Sequence, residues 1–406
     1  MHGTDPMSSP FGGFQTHQYP NTGHPGPVSD ENVYKLATAN TAFAFRLVRR
    51  LAASAPNDNV FISPLSVNSA LLMALNGSRG ATRSDMLHAM GLGVWPLKEL
   101  DAAEQVTLRS IQNADPASTV SIANALWFDQ GATIVPSFQS NCAEYFGAGV
   151  TRLNFADASA SATVNGWVSD ATHGKIAQIV DPKDLRGMAA VLTNAIYFKG
   201  DWSAPFEKAA TRDAPFYLTH GQQKTVPLMY RQARMLYADT KNLQVVAQPY
   251  GNGRLQFLVA LPHKGTTVDA ALNSLDGDSW LGVTSQLSYR NVELHLPRFK
   301  AHYRKLLNDP LKAMGMGSAF DRRADFLDMS PDVLCISKVI HVAVLEVDEK
   351  GTVAAASTAI TMKRLSLSVE RPERAVVVRV DHPFLAFIRD TLTGRILFAG
   401  VINNPE

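Results

Sequence analysis

The segment at 188–199 reads MAAVLTNAIYFK, and the segment at 336–347 reads ISKVIHVAVLEV. Both carry apolar residues on both faces, so neither shows the alternation expected of a strand with one side in water. Short runs that are apolar on both faces are typical of central strands covered on each side. The sequence therefore predicts a sheet that is buried at its centre and contains these two segments.

Helical patterns dominate only the first third of the chain. Apolar residues recur at helical spacing up to about Ala53, and either Ser29 or Asp30 is suited to cap the start of this helix. A second helix is predicted to follow Pro64 and to end at Gly77. Beyond this region the patterns favour strands.

Alternating apolar residues indicate further strands at 120–128, 255–261 and 292–296. Segments 384–389 and 395–402 form a predicted hairpin joined through a Thr-Gly turn. No internal repeat and no linker interrupts residues 29–406, which are therefore interpreted as one large α+β domain. Residues 1–28 are dense in Gly and Pro without apolar periodicity, which predicts a flexible tail.

Composition excludes several classes of protein. Of 406 residues, 46% are hydrophobic and 18% charged, and the formal net charge of +2 predicts neither nucleic acid nor an anionic membrane as partner. Two cysteines, Cys142 and Cys335, supply neither a disulfide framework nor a four-ligand zinc site, and whether they pair stays open. The first 30 residues lack the pattern of a secretory signal, so the compartment, extracellular or cytoplasmic, also stays open.

Motifs of catalysis and cofactor binding are missing from the sequence. It contains no G-x-S-x-G elbow, no H-E-x-x-H pair, no Walker loop and no clustered metal ligands. The glycines at 251 and 253 fit a hairpin turn better than a phosphate-binding loop. We therefore expect a protein that is not an enzyme and that carries no metal or cofactor.

An unusual stretch follows the second central segment, where residues 349–371 read EKGTVAAASTAITMKRLSLSVER. Its first ten residues are nearly all small. One interpretation is a flexible linker. The other is a segment that at times becomes a strand inside an existing sheet, with Thr352, Ala354, Ala356 and Thr358 facing the core, since small alternate residues enter between neighbours without repacking them.

A series of short motifs along residues 30–406 resembles the serpin family of protease inhibitors, in the family's order. The motifs are NVFISPLS (59–66), GSRGAT (77–82), NALW (124–127), THGKI (172–176), LTNAIYFKGDW (192–202), VPLM (226–229), HLPRF (295–299), ISKVIHVAV (336–344), EKGT (349–352), DHPFL (381–385) and FAGVINNP (398–405). The resemblance implies an α+β serpin fold with three β-sheets, about nine helices and an exposed reactive centre loop at about 350–371.

The resemblance also implies a function. Inhibitory serpins act on serine proteases as suicide substrates: the protease cleaves the reactive centre loop, is trapped as an acyl-enzyme in a covalent one-to-one complex, and is displaced as the loop inserts into the central sheet, called sheet A. The expected protein is then a metastable monomer and is itself not catalytic. Members of this family are commonly extracellular.

Two groups of polar residues match functional regions of the family. Those matching the shutter, a hydrogen-bonded cluster beneath the middle of sheet A, are Ser63, Ser66, Asn194 and His341. Those matching the breach, where the loop enters the sheet, are Trp202, Arg298 and Glu349. Taken alone, His341 fits an ordinary hydrogen-bonded core histidine, of which the shutter role is a special case. An ion pair between Arg298 and Glu349 is implied, worth about 0–1 kcal/mol if exposed.

The hinge at the start of the loop resembles that of inhibitory members. The residues that match it are Glu349, Gly351, Thr352, Ala354, Ala355 and Ala356. Val353 replaces a usual acidic residue and Ser357 a usual alanine, but one is expected to face outward and the other is small. A carrier or chaperone without inhibitory activity, the alternative function, would need a bulkier or charged hinge.

Counting from Glu349 by the spacing usual in the family places the scissile bond between Leu365 and Ser366. A large apolar residue at this point suits chymotrypsin-like, subtilisin-like and some elastase-like proteases, whose specificity pockets are apolar. A shift of one residue would present Arg364 to a trypsin-like protease, and Lys363 is a third choice.

Overall fold

The computed structural model describes residues 31–352 and 374–405. The predicted tail and most of the predicted loop lie outside these residues. The described helices are α1 (Glu31–Ser54), α2 (Pro64–Gly77), α3 (Gly80–Met90), α4 (Leu97–Gln112), α5 (Pro136–Phe146), α6 (Ala158–Ala171), α7 (Pro182–Leu185), α8 (Val268–Asn273), α9 (Gly277–Ser285) and α10 (Asn308–Leu311).

Thirteen of the fifteen described strands follow α5. They are β1 (Val60–Ile62), β2 (Ser118–Asp129), β3 (Gly149–Leu153), β4 (Ala190–Asp201), β5 (Arg212–Tyr217), β6 (Gln223–Asp239), β7 (Leu243–Pro249), β8 (Leu255–Pro262), β9 (Ser288–Pro297), β10 (Phe299–Leu306), β11 (Lys338–Val347), β12 (Gly351–Thr352), β13 (Val376–Arg379), β14 (Phe384–Asp390) and β15 (Ile396–Ile402).

The two segments that are apolar on both faces are β4 and β11, and both are central as predicted. They belong to a six-stranded sheet of order β10-β11-β12-β4-β2-β3. One face is covered by α6, and Ile340 and Val342 belong to the same buried cluster as Val164 and Val168. The other face packs on the aromatic core of the second sheet. Burial on both sides explains why neither strand alternates polar with apolar residues.

The second sheet has nine strands, and the 17-residue strand β6 connects its two parts. The end of β6 pairs with β7, which leads to β8, β14, β15 and β1, while its start pairs with β5. Strand β9 runs antiparallel along β6 over 228–237, and β13 extends this part at the edge. The three sheets expected from the family resemblance thus occur as one separate sheet and two parts joined by β6.

Helix α2 begins and ends where the sequence predicts. Ser63 adopts an extended backbone and accepts a hydrogen bond from the Ser66 N–H, which caps the helix, and Pro64 takes the first helical position. All residues of the helix except Asn76 are buried. A helix buried all round needs apolar or small residues on every side. Its first turn contacts the six-stranded sheet, where Asn194 of β4 donates a hydrogen bond to the Ser66 carbonyl.

Two further questions from the sequence concern the turn at 251–253 and the two cysteines. The glycines at 251 and 253 lie in the turn between β7 and β8, as expected of a hairpin. Cys142 and Cys335 are both free thiols, which settles the question the sequence left open. Among residues 31–352 and 374–405, no helix is both long and apolar enough to cross a bilayer.

Candidate functional site

The contact between β4 and β11 changes along its length. At one end the strands pair directly and in parallel, with residues 338–344 opposite residues 191–197. At the other end Thr352 of β12 pairs with Val347 of β11 and with Gly200 of β4. The two-residue strand β12 therefore lies between β4 and β11, and only the first end is closed by direct pairing.

The chain reaches this position through a tight turn after β11. The Asp348 carboxylate accepts hydrogen bonds from the N–H groups of Lys350 and Gly351, and the Asp348 N–H donates to the Gly351 carbonyl. Gly351 has φ +155°, and a Cβ there would lie 2.1 Å from the Gly200 carbonyl oxygen. Only glycine fits such a close approach of two strands, which explains this residue of the predicted hinge.

Aromatic side chains form the floor beneath β12. The Trp202 ring stacks on the Tyr250 ring at 4.5 Å, and the Tyr250 hydroxyl shares a hydrogen bond of 2.7 Å with Thr352 Oγ1. Trp202 also donates from Nε1 to the Asp348 carbonyl and from its backbone N–H to the Lys350 carbonyl, each at 2.9 Å. Trp202, assigned to the breach, therefore contacts both the floor and the turn that carries the hinge.

The ion pair implied by the resemblance is present, but in a different environment. Arg298 Nη2 contacts Glu349 Oε1, and Thr211 donates a second hydrogen bond of 2.8 Å to the same oxygen. The expectation of an exposed pair is wrong for one partner, because Glu349 is only 1% exposed. Burial opposes ionisation of this carboxyl, yet the hydrogen bonds from Arg298 and Thr211 outweigh it and hold the Glu349 pKa below its ordinary value.

His341, on β11, has both ring nitrogens engaged. Its Nε2 accepts a hydrogen bond of 3.1 Å from the backbone N–H of Ser63, so Nδ1 must carry the proton that is shared with Asn194 Oδ1. The ring is fully buried, and this burial lowers the His341 pKa to about 3. At neutral pH the imidazole is therefore uncharged and fixed in one tautomer.

Asn194, on β4, connects the remaining members of this cluster. Its side-chain amide donates to the Ser66 carbonyl at 2.9 Å and contacts Ser66 Oγ and Asn124 Oδ1. The pairing places Asn194 directly opposite Asn124 of β2 and His341 of β11. Asn124, Asn194 and His341 thus lie side by side on three neighbouring strands, next to the start of α2. Ser63, the N-cap residue of that helix, completes the polar cluster.

The structure brings the predicted site residues into two groups along one strand pair. The cluster at the closed end contains Ser63, Ser66, Asn194 and His341. The second group contains Gly351 and Thr352, which form β12, and Trp202, Arg298 and Glu349 around them. The predicted hinge residues Ala354, Ala355 and Ala356 and the predicted scissile bond Leu365–Ser366 lie outside the described residues.

Three contributing residues were missed by the sequence analysis: Asn124, Thr211 and Tyr250. Asn124 stands in the NALW motif, where a single amide within an apolar strand signals a buried polar partner. Neither Thr211 nor Tyr250 stands in a motif that the analysis quoted. Their roles depend on pairings between distant parts of the chain.

This arrangement suits the reception of a further strand. Both neighbours of such a strand, β4 and β11, run in parallel and are separated at the end where β12 enters. Continuing from Thr352, a strand would replace their direct pairing with two new sets of hydrogen bonds. The geometry of this site therefore suits the addition of a strand between β4 and β11.

Comparison with known proteins identifies a family over most of the chain. The family model described as serpin (serine protease inhibitor) matches residues 38–405. The chain is 36% identical over 380 residues to Iripin-2 of Ixodes ricinus, covering 91% of this chain and 93% of the relative. It is 34% identical over 383 residues to the leukocyte elastase inhibitor of Sus scrofa, covering 91% of this chain and 100% of the relative.

Solved structures agree with this result. The fold is similar to that of human thyroxine-binding globulin, with a TM-score of 0.84 and 26% identity, covering 92% of this chain and 99% of the other. The chain therefore belongs to the serpin family of serine protease inhibitors.

Proposed function

We propose that this serpin inhibits a serine protease of chymotrypsin-like, subtilisin-like or elastase-like specificity by acting as a suicide substrate. The protease hydroxyl attacks the Leu365 carbonyl, the C–N bond to Ser366 breaks, and the Ser366 amine leaves with the proton taken from the nucleophile. Residues 353–365 then enter the sheet behind Thr352. The attached protease is displaced, and its distorted oxyanion hole no longer supports deacylation.

The observation that carries this proposal is the position of Thr352. Its side chain is fully buried, and its backbone pairs with both neighbours of the strand position that the loop is to occupy. The residues that follow are nearly all small, so they can enter a sheet whose faces are covered on both sides.

The finer parts of the proposal concern the loop and its partner. The reactive centre loop spans about 350–371 of a serpin domain at 29–406, and the protein acts as a monomer in a covalent one-to-one complex. Leu365 sets the target class because its side chain enters the specificity pocket of the protease. The name of the porcine relative, an elastase inhibitor, supports an apolar bait residue. This chain supplies no catalytic group of its own.

A panel of proteases tests the function directly. Incubation with a chymotrypsin-like or subtilisin-like enzyme is expected to give an SDS-stable complex and to release a C-terminal peptide starting at Ser366, identified by mass spectrometry. A peptide starting at Leu365 would move the scissile bond to Arg364 and the target to a trypsin-like protease. Turnover of the protein by every protease without any complex would favour the carrier.

A further inference from the structure

The uncleaved chain already holds one residue of its hinge in the sheet. Thr352 is fully buried between β4 and β11, and the preceding turn is fixed by the hydrogen bonds of Asp348. A residue entering a sheet must give up its hydrogen bonds to water, so something must stabilise it there. The contacts of its side chain identify the partner.

That partner is Tyr250, which meets Thr352 from the strand end of β7. The Tyr250 ring is fully buried, stacked on Trp202 and in edge contact with Phe198 at 4.9 Å. A Cβ on Gly200 would lie 2.8 Å from this ring, so the ring fills the space that a glycine leaves on β4. The aromatic packing therefore fixes the ring, and with it the direction of the hydroxyl.

The hydroxyl ends at 2.7 Å from Thr352 Oγ1, in a region where both groups are shielded from water. Burial raises the Tyr250 pKa, so the hydroxyl keeps its proton and can donate. The pair is then mutually dependent, because each hydroxyl would be buried without this partner if the other were lost.

We propose that Tyr250 is a positioning residue that holds the hinge in the sheet before cleavage, through its hydroxyl and that of Thr352. This inference rests on the proposed function for its consequence, since a held hinge gives insertion a starting point. After cleavage, the next residues then need only extend an existing strand. Without the hydroxyl pair, the hinge leaves the sheet more often, insertion starts later, and more of the acyl-enzyme is hydrolysed before it is trapped.

Hydrogen exchange of the uncleaved protein, followed by mass spectrometry on peptides covering 345–352, tests the hinge without any protease. Tyr250→Phe leaves the Thr352 hydroxyl buried and unpaired, and Thr352→Val does the same to Tyr250. Each is expected to raise exchange at the hinge about tenfold, as loss of one buried hydrogen-bond partner implies. The double variant, with two apolar partners, is expected to return toward the wild-type rate.

Matched controls separate the hinge from general destabilisation. Tyr237→Phe removes another buried tyrosine hydroxyl, which accepts a hydrogen bond of 3.1 Å from Gln244, and should leave hinge exchange unchanged. Thr352→Ser keeps the hydroxyl and should retain most of the protection. Equal hinge exchange in Tyr250→Phe and wild type, or a double variant worse than both single variants, would overturn the role of Tyr250.

The stoichiometry of inhibition then links the hinge to trapping. With a protease that forms the complex, Tyr250→Phe and Thr352→Val are expected to consume severalfold more inhibitor per protease than wild type, while Tyr237→Phe consumes the same. If wild type forms no complex with any protease but the exchange results hold, the proposed function fails and the held hinge stands. If complexes form and the stoichiometry of Tyr250→Phe equals that of wild type, the consequence for trapping is wrong.

Discussion

The two ends of the β4–β11 contact hold the sheet together by different means. At the end beneath α2, the strands pair directly, and His341, Asn194 and Ser63 tie them to the helix through a buried, uncharged hydrogen-bond network. At the other end, β12 already separates them, and an aromatic floor supports the inserted residue. The first end is closed by direct strand pairing, and the second is separated by β12.

The difference indicates the direction in which a strand would enter. Hydrogen bonds between side chains hold a contact in one geometry and cost free energy when they are broken without replacement. Extension from Thr352 must therefore displace the direct pairing first and reach the level of His341 afterwards. The predictions below test each end separately, in order of expected effect.

Cleavage of the loop should give the largest change. Once free at Leu365, the segment that follows Thr352 can pair on both sides as a central strand, and roughly ten to fifteen new hydrogen bonds at about 1 kcal/mol each would add on the order of 10 kcal/mol before ordering entropy is subtracted. We expect an apparent unfolding midpoint tens of degrees higher in calorimetry at a fixed scan rate. An equal or lower midpoint after a verified cut would contradict insertion.

Thr352→Arg should abolish insertion while leaving cleavage intact. The guanidinium would lie between β4 and β11 beside the Tyr250 hydroxyl, without a counter-charge, at a cost of about 3–5 kcal/mol. We expect the variant to be cut by the target protease without forming an SDS-stable complex and without the gain in unfolding midpoint. Thr352→Ser serves as the control, and unchanged trapping by the arginine variant would refute the hinge assignment.

The closed end should be sensitive to acid through His341. The folded state holds the His341 pKa at about 3, below its unfolded value of about 6.5, so the contribution of the neutral imidazole is complete above pH 6.5 and declines as the pH falls toward 3. Between pH 6.5 and 4 this linkage is worth about 3 kcal/mol. Urea midpoints should therefore fall more steeply with acid in wild type than in His341→Gln, and parallel curves would contradict this assignment.

A smaller effect is expected from Arg298→Ala at the partly open end. The buried Glu349 carboxylate would keep its hydrogen bond from Thr211 but lose its cationic partner, which should cost about 1–2 kcal/mol at pH 7. The depressed Glu349 pKa stabilises the fold above the ordinary carboxyl range, so the difference from wild type should shrink toward pH 4 as Glu349 takes up a proton.

The chain offers a matched control for this charge removal. Lys300 pairs with Glu346 at 3.7 Å on the surface, with the lysine side chain 72% exposed. Lys300→Ala should change the urea midpoint very little at either pH, because exposed pairs are screened by solvent. If Arg298→Ala behaves like Lys300→Ala, the burial of Glu349 has no energetic consequence.

The central strands, and the polar cluster that connects them, could be predicted from the sequence. Runs that are apolar on both faces identify β4 and β11, and the polar side chains in their middles, Asn194 and His341, stand out against that background. The long strand β6 was not predicted, since polar and charged residues interrupt its alternation on both faces. Such a strand is defined by its partners rather than by its own pattern.

The partners of the hinge could not be predicted for a related reason. Tyr250 follows Trp202 by a long stretch of chain, and their contact depends on how β7 is placed beneath β4. Whether Thr352 lies inside or outside the sheet depends on a small difference between hydrogen bonds to water and to Tyr250. The contact between Trp202 and Tyr250 and the position of Thr352 both depend on residues far apart in the chain, so no short motif predicts them.

The cap of α2 sets a chemical rule for the position of His341. The backbone N–H of Ser63 donates a hydrogen bond to His341 Nε2, so the positive end of helix α2 faces the ring. A side chain there must therefore offer a lone pair and carry no positive charge. A glutamine carbonyl can meet this requirement, whereas lysine or arginine would place a cation against the helix end. Helix α2 thereby restricts the residues that can occupy position 341, although helix and position are far apart in the sequence.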